Sequence, residues 1–192
     1  MELKTVYFEK PGGEENTTKT LALAKARADE LGIKTVVVAS TVGDTAVKAV
    51  DVFKGYKVIV VTHVTGMREP NTQEFTEANR KIVEKKGGIF VTAAHAFGGI
   101  HRALGATGGP PIPTSAIGDI IAMTLRIFGQ GMKVVCEIAA MAADAGLVRT
   151  DEEIVAIGGT GRGADTAVVL QPSYVHRFFN TRVKEIICKP RF

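Results

Sequence analysis

The sequence contains no tryptophan, only three tyrosines and only two cysteines among 192 residues. Cys136 and Cys188 lie far apart in apolar stretches and form no C-x-x-C pair. That excludes a disulfide framework and a cysteine zinc site, and it reads as two reduced thiols in a cytoplasmic protein. No aromatic residues are interleaved with basic ones, so the chain lacks a base-stacking platform. The formal net charge is +4 from 24 basic and 20 acidic residues, mixed along most of the sequence. Only the tail from Arg177 to Phe192 is one-sided, with Arg177, Arg182, Lys184, Lys189 and Arg191 against Glu185. No nucleic-acid partner is therefore expected.

Long apolar runs are missing too. No segment approaches the roughly 18 residues that a membrane span needs, and the first residues show no apolar signal region. A soluble chain with no membrane partner is expected. P-loop, H-E-x-x-H and Ser-His-Asp patterns are also lacking. His95 and His101 have no carboxylate or third histidine at a helpful spacing, so no metal is expected.

Glycine and β-branched residues are plentiful. The stretch Ile154 to Leu170, IVAIGGTGRGADTAVVL, predicts a strand, a glycine loop and a second strand. Gly159, Gly161 and Ala164 fit the G-x-G-x-x-G/A spacing of a dinucleotide fingerprint, but Asp165 to Leu170 is β-branched and apolar where that fingerprint requires a helix. A Rossmann site is rejected. Backbone amides at Gly158, Gly159, Thr160, Gly161 and Gly163, with Arg162 among them, suit an anion, or else a solvated hairpin turn.

A second stretch has the same chemistry. The run Ile33 to Ala39 predicts a strand covered on both faces, and it empties into Ser40, Thr41, Val42, Gly43, Asp44 and Thr45. An amphipathic helix with Ala46, Ala49, Val50 and Phe53 on one face follows. A strand, a hydroxyl-rich glycine turn and a helix N-terminus can cradle phosphate, and the same residues can simply cap the helix.

Before this unit, Thr5 to Phe8 predicts a short strand. Asn16 is the expected N-cap of a helix with stripe Leu21, Ala24, Ala28 and Leu31, ended by Gly32. After it, Lys57 to Thr62 predicts a strand leading into a loop with His63 and Arg68. Asn71 and Glu74 resemble a capping box for a helix ended by Gly87 and Gly88. Ile89 to Ala93 predicts another strand, running into His95, Phe97 and Gly98. The βα alternation implies an α/β domain: a mostly parallel sheet of about five or more strands with helices on both faces, its last strands antiparallel. Residues 1–192 read as one domain. Gly105 to Pro113 reads as a loop or lid, Thr114 as the cap of an apolar helix, Val134 to Ala145 as a small-residue helix, and Glu185 to Cys188 as an edge strand.

The order of helix, IKTVVVASTVGDTAVKAV, strand, helix, strand, and then VCEIAAMAADAGLVRTDEEIVAIGGTGRGADTAVVL resembles the C-terminal domain of pyruvate kinase, over residues 16–62 and 134–170. In that family the turn matched by Ser40 to Thr45 holds a phosphate of an allosteric sugar ester, and the loop matched by Gly158 to Gly163 closes over the same ligand. The resemblance implies that fold, without a kinase barrel. The loops after Thr62 and Ala94 depart from the family and resemble its freestanding single-domain relatives, for which flavin mononucleotide (FMN) or a similar nucleotide is the implied ligand.

The expected ligand is a phosphorylated small molecule held by Ser40, Thr41, Gly43, Asp44, Thr45, Thr62, Arg68, Phe97, Gly159, Thr160, Gly161, Arg162 and Gly163. Phe97 and Gly109 would cover its ring. His63 and His95 are the candidate acid/base residues if the protein is an enzyme. The alternative is a regulatory or structural partner protein that associates through the apolar helices 114–128 and 132–145. In either case a homo-oligomer is expected.

Overall fold

The computed structural model describes residues 4–100 and 117–191. The expected loop at Gly105 to Pro113, the cap at Thr114, His101 and Gly109 lie outside the described residues. Strands β1 (Val6–Phe8), β2 (Thr35–Ala39), β3 (Lys57–Val61), β4 (Ile89–Val91), β5 (Ile154–Gly158), β6 (Thr166–Gln171) and β7 (Arg182–Pro190) form one sheet in the order β1-β7-β6-β5-β2-β3-β4. All adjacent pairs are parallel except β5 with β6 and β6 with β7. The hydrophobic patterning predicts this layout, since β2, β3 and β5 are continuous apolar runs and parallel strands are covered on both faces.

Alternation along the strands sends successive side chains to opposite layers. Val36 and Val38 of β2 join one apolar cluster with α1 (Glu14–Leu31), α2 (Asp44–Val52) and α3 (Glu77–Lys85). Val37 joins the other, against α4 (Ile117–Arg126), α5 (Gln130–Asp144) and Phe178 of the short 3-10 helix Val175–Asn180. The helix faces expected from spacing are largely the buried ones: Leu21, Ala24 and Ala28 on α1, and Ala46, Ala49 and Val50 on α2 with Phe53 just beyond it.

Three boundaries differ from expectation. Helix α1 begins at Glu14 after Gly13, two residues ahead of Asn16, whose amide instead donates to the Lys10 carbonyl at 2.7 Å. Helix α3 begins after Thr76, whose hydroxyl accepts the Asn79 amide at 3.3 Å. Asn71 and Glu74 are left in the preceding loop, because Glu74 has a stronger electrostatic partner there than a helix amide. The third concerns β7, which is longer than the segment from Glu185 to Cys188 and is not an edge strand, since it pairs with both β1 and β6.

An ion pair that the tail composition hides ties β7 to the helix layer. Arg27 on α1, 8% exposed, donates from Nε and Nη2 to the two oxygens of Glu185 on β7, each at 2.7 Å. Hydrogen bonding from Arg27 holds the Glu185 carboxyl below its ordinary value of 4.5, against the opposing effect of burial. A carboxylate with a depressed folded-state pKa stabilises the fold above its unfolded value, and that contribution is lost as pH falls through the folded value. Urea denaturation across acidic pH should therefore show stability declining below about pH 4.5, less steeply in Arg27→Met. Equal slopes in the two proteins would show that this pair contributes nothing.

Candidate functional site

Strands β2, β3, β4 and β5 end level with one another. Ala39 pairs with Val61, Val61 with Val91, and Val38 with Ile157. The Ser40 amide continues the ladder to the Val61 carbonyl, and the Thr62 amide to that of Val91, each at 3.0 Å. From β2 the chain moves to β3 and β4 on one side, then returns through α5 to β5 on the other. A crevice opens beyond the strand ends where the order reverses. Here it is a cleft of about 1160 Å³.

One wall is the turn after β2. Ser40 is buried, and its hydroxyl accepts the Ala46 amide at 3.3 Å. Gly43 takes φ +112, a left-handed value that only glycine adopts without strain, and no side chain caps α2 at this position. Asn79 fixes the turn from behind by donating to the Val42 carbonyl at 3.1 Å and to Asp44 at 3.3 Å. The opposite wall is the β5–β6 hairpin, which is a hairpin because Gly159 admits the returning backbone. A Cβ there would lie 2.1 Å from the Gly163 carbonyl oxygen. Asp165, fully buried, closes the hairpin by accepting the amides of Gly12 at 2.8 Å and Thr160 at 3.1 Å, and the Thr166 hydroxyl at 2.7 Å.

The walls meet at the mouth. Arg162 reaches Asp44 at 3.1 Å, and Lys48 on α2 reaches Glu14 on α1 at 2.7 Å. Both pairs are solvated, so each contributes little to stability and its cation can be redirected at small cost. The third side is the loop after β3. His63 Nδ1 lies 2.6 Å from Glu74 Oε2, and Arg68 Nε donates to Glu74 Oε1 at 2.8 Å. The His63 hydrogen bond is the chief reason that the Glu74 carboxyl titrates below its ordinary value. His63 Nε2 is 3.4 Å from the Thr41 hydroxyl, and its ring centre is 5.2 Å from that of His95.

Of the residues expected at a ligand, Ser40, Thr41, Asp44, Thr45, Thr62, Arg68, Gly159, Gly161, Arg162 and Gly163 all line this one cleft, together with His63 and His95. Gly43 and Thr160 shape its walls without lining it. Phe97 stands apart: it is buried against Phe178, ring centres 4.9 Å apart, and belongs to the apolar layer rather than to the cleft.

Sequence reasoning missed the fourth side. Gln130, Lys133, Val134, Glu137, Ile138 and Met141 of α5 line the cleft. Lys133 and Glu137 form an ion pair, each only 5% exposed, and Glu137 also accepts the Phe97 amide at 3.1 Å. The signal was present, since an i, i+4 acid–base pair inside an otherwise apolar stripe must be buried with the stripe or break it. Cys136 and Cys188 have no part in the cleft, and burial pushes each thiol up to about 11. Among the described residues, no group of histidine, cysteine and carboxylate side chains is placed to hold a metal, and no helix is long and apolar enough to cross a membrane.

Comparison with known protein families finds a match to pyruvate kinase, alpha/beta domain, over residues 18–170. The match spans both cleft walls, from within α1 into β6.

A substitution at Gly43 tests the turn. A Cβ there would meet Asn79 Cβ at 2.5 Å and require a strained φ. Gly43→Ala should lower the unfolding free energy by about 1–3 kcal/mol, read from urea denaturation. No change would mean that the turn has another accessible conformation.

Proposed function

For this chain, which belongs to the pyruvate kinase alpha/beta domain family, we propose that the cleft binds a phosphate-bearing small molecule with a planar ring, FMN or a nucleotide like it. Family membership leaves the ligand open. The observation that carries the proposal is the meeting of two anion-suited loops, 118 positions apart in sequence, where Arg162 reaches Asp44.

The residues fit such a ligand. Thr41, Thr45 and the α2 amides beyond Gly43 would receive the phosphate, with Arg162 and Lys48 turned from their acidic partners toward it. Val61, Val134, Ile138 and Met141 offer apolar surface deeper in the same cleft, and the ring is assigned to them in place of Phe97. The volume accommodates both parts. FMN would supply redox chemistry when bound. His63 and His95 would stand beside it to hold or move a proton, which is the enzymatic form of this reading.

The protein is further proposed to be a cytoplasmic homo-oligomer. Ile117, Ile120 and Met123 on α4, with Ile127 and Phe128 in the turn after it, are at 50% exposure or more, an apolar patch of the kind that marks an interface. Helix α5, the other candidate, is almost wholly internal.

Calorimetric titration with FMN and riboflavin tests the ligand. FMN should bind, riboflavin should bind far more weakly, and Arg162→Ala should weaken FMN by about tenfold, the loss of one charge-assisted hydrogen bond. Equal affinity for the two compounds would remove the phosphate site. Sedimentation tests the interface: the wild type should be a dimer or larger, and Ile127→Glu should dissociate it. A monomeric wild type would contradict the oligomer.

A further inference from the structure

Thr41, His63 and Glu74 form a row: hydroxyl, imidazole, carboxylate. They come from three separate segments, the turn after β2, the end of β3 and the loop before α3, and all three line the cleft. Glu74, with 15% of its side chain exposed, accepts the proton on His63 Nδ1 at 2.6 Å. With Nδ1 protonated, Nε2 keeps its lone pair and accepts the Thr41 hydroxyl 3.4 Å away. Two further contacts hold the row in place. Arg68 fixes the second Glu74 oxygen at 2.8 Å, and Gln73 donates to the His63 carbonyl at 3.0 Å. An activated nucleophile has this signature: a hydroxyl on a base, and the base oriented by a third group.

We propose that Thr41 is a phosphoryl acceptor, with His63 as its general base and Glu74 as the positioning residue, so that the cleft transfers phosphate from an acyl phosphate or a similarly activated donor. The proposal rests on the phosphate-site reading above and names the chemistry of that site. Thr41 Oγ forms a bond to phosphorus as the bond from phosphorus to the acyl oxygen breaks. The Thr41 proton passes to His63 Nε2, and the acid leaves as its carboxylate. His63 then gives its proton up to solvent, and the phosphothreonine, itself an alkyl phosphate, persists on the chain. An alkyl phosphate such as FMN has a poor leaving group and stays whole in the same cleft.

The test is incubation of the full chain with acetyl phosphate, followed by mass spectrometry of its peptides. The wild type should gain one phosphoryl group on Thr41, and Thr41→Val should gain none there. His63→Ala should slow the gain by about a hundredfold and Glu74→Gln by about tenfold. Thermal unfolding of each variant separates loss of chemistry from loss of fold, and Thr41→Ser, which keeps a hydroxyl, should still take the label. No phosphate on Thr41 of the wild type, or an unchanged rate in His63→Ala, would overturn the proposal. If FMN still binds, the phosphate-site reading survives that result; if neither FMN nor inorganic phosphate binds, both fail.

Discussion

Strand β2 has no face or edge left to water: Val36, Val37 and Val38 are fully buried, β3 and β5 flank it in parallel, and helices cover both sides. A strand confined in this way must turn out of the sheet as soon as it ends, because its next polar groups have partners only at the strand ends. The turn at Ser40 to Thr45 follows from that confinement, and so does the cleft, since the chain crosses to opposite sides of β2 and its connections separate there. Cleft residues from most of the chain length depend on the ladder that keeps β2, β3, β4 and β5 level.

The cleft's electrostatics are nearly balanced. Glu14 faces Lys48, Asp44 faces Arg162, Glu74 faces Arg68 and His63, and Glu137 faces Lys133. These pairs differ by depth. The Glu14–Lys48 and Asp44–Arg162 pairs at the mouth are solvated and cost little to separate, whereas Lys133 and Glu137 are shielded from water and separating them would leave a buried charge without compensation. A phosphate bound as proposed would recruit cations from the rim, while the deep pair keeps its geometry. The arrangement suits a ligand whose charge stays at the mouth and whose apolar part goes inward.

The sheet was legible in the sequence because continuous Val and Ile runs between helical patterns have few other uses. Both loops of the cleft were legible as well, from glycine and hydroxyl residues at strand ends. Composition could not show which residues face each other across space. Glu74 fitted a capping box by spacing and serves His63 instead, since a charged partner outweighs a helix amide. Phe97 reads as a ring cover by neighbourhood and packs on Phe178, a residue 81 positions later whose location only the tertiary structure sets. Lys133 and Glu137 were passed over because small residues dominate their helix, although a buried pair is the one way such a stripe can hold two charges.

The central claim is that the crevice beyond β2 and β5 is a ligand site for a phosphorylated ring compound. The most direct measurement is an absorbance spectrum of the freshly purified protein, with the mass of any small molecule released on denaturation. The account predicts a flavin-like or nucleotide-like spectrum and a released mass that includes a phosphate group. A protein with neither, and with no thermal shift on adding FMN, nucleotides or sugar phosphates, would contradict it.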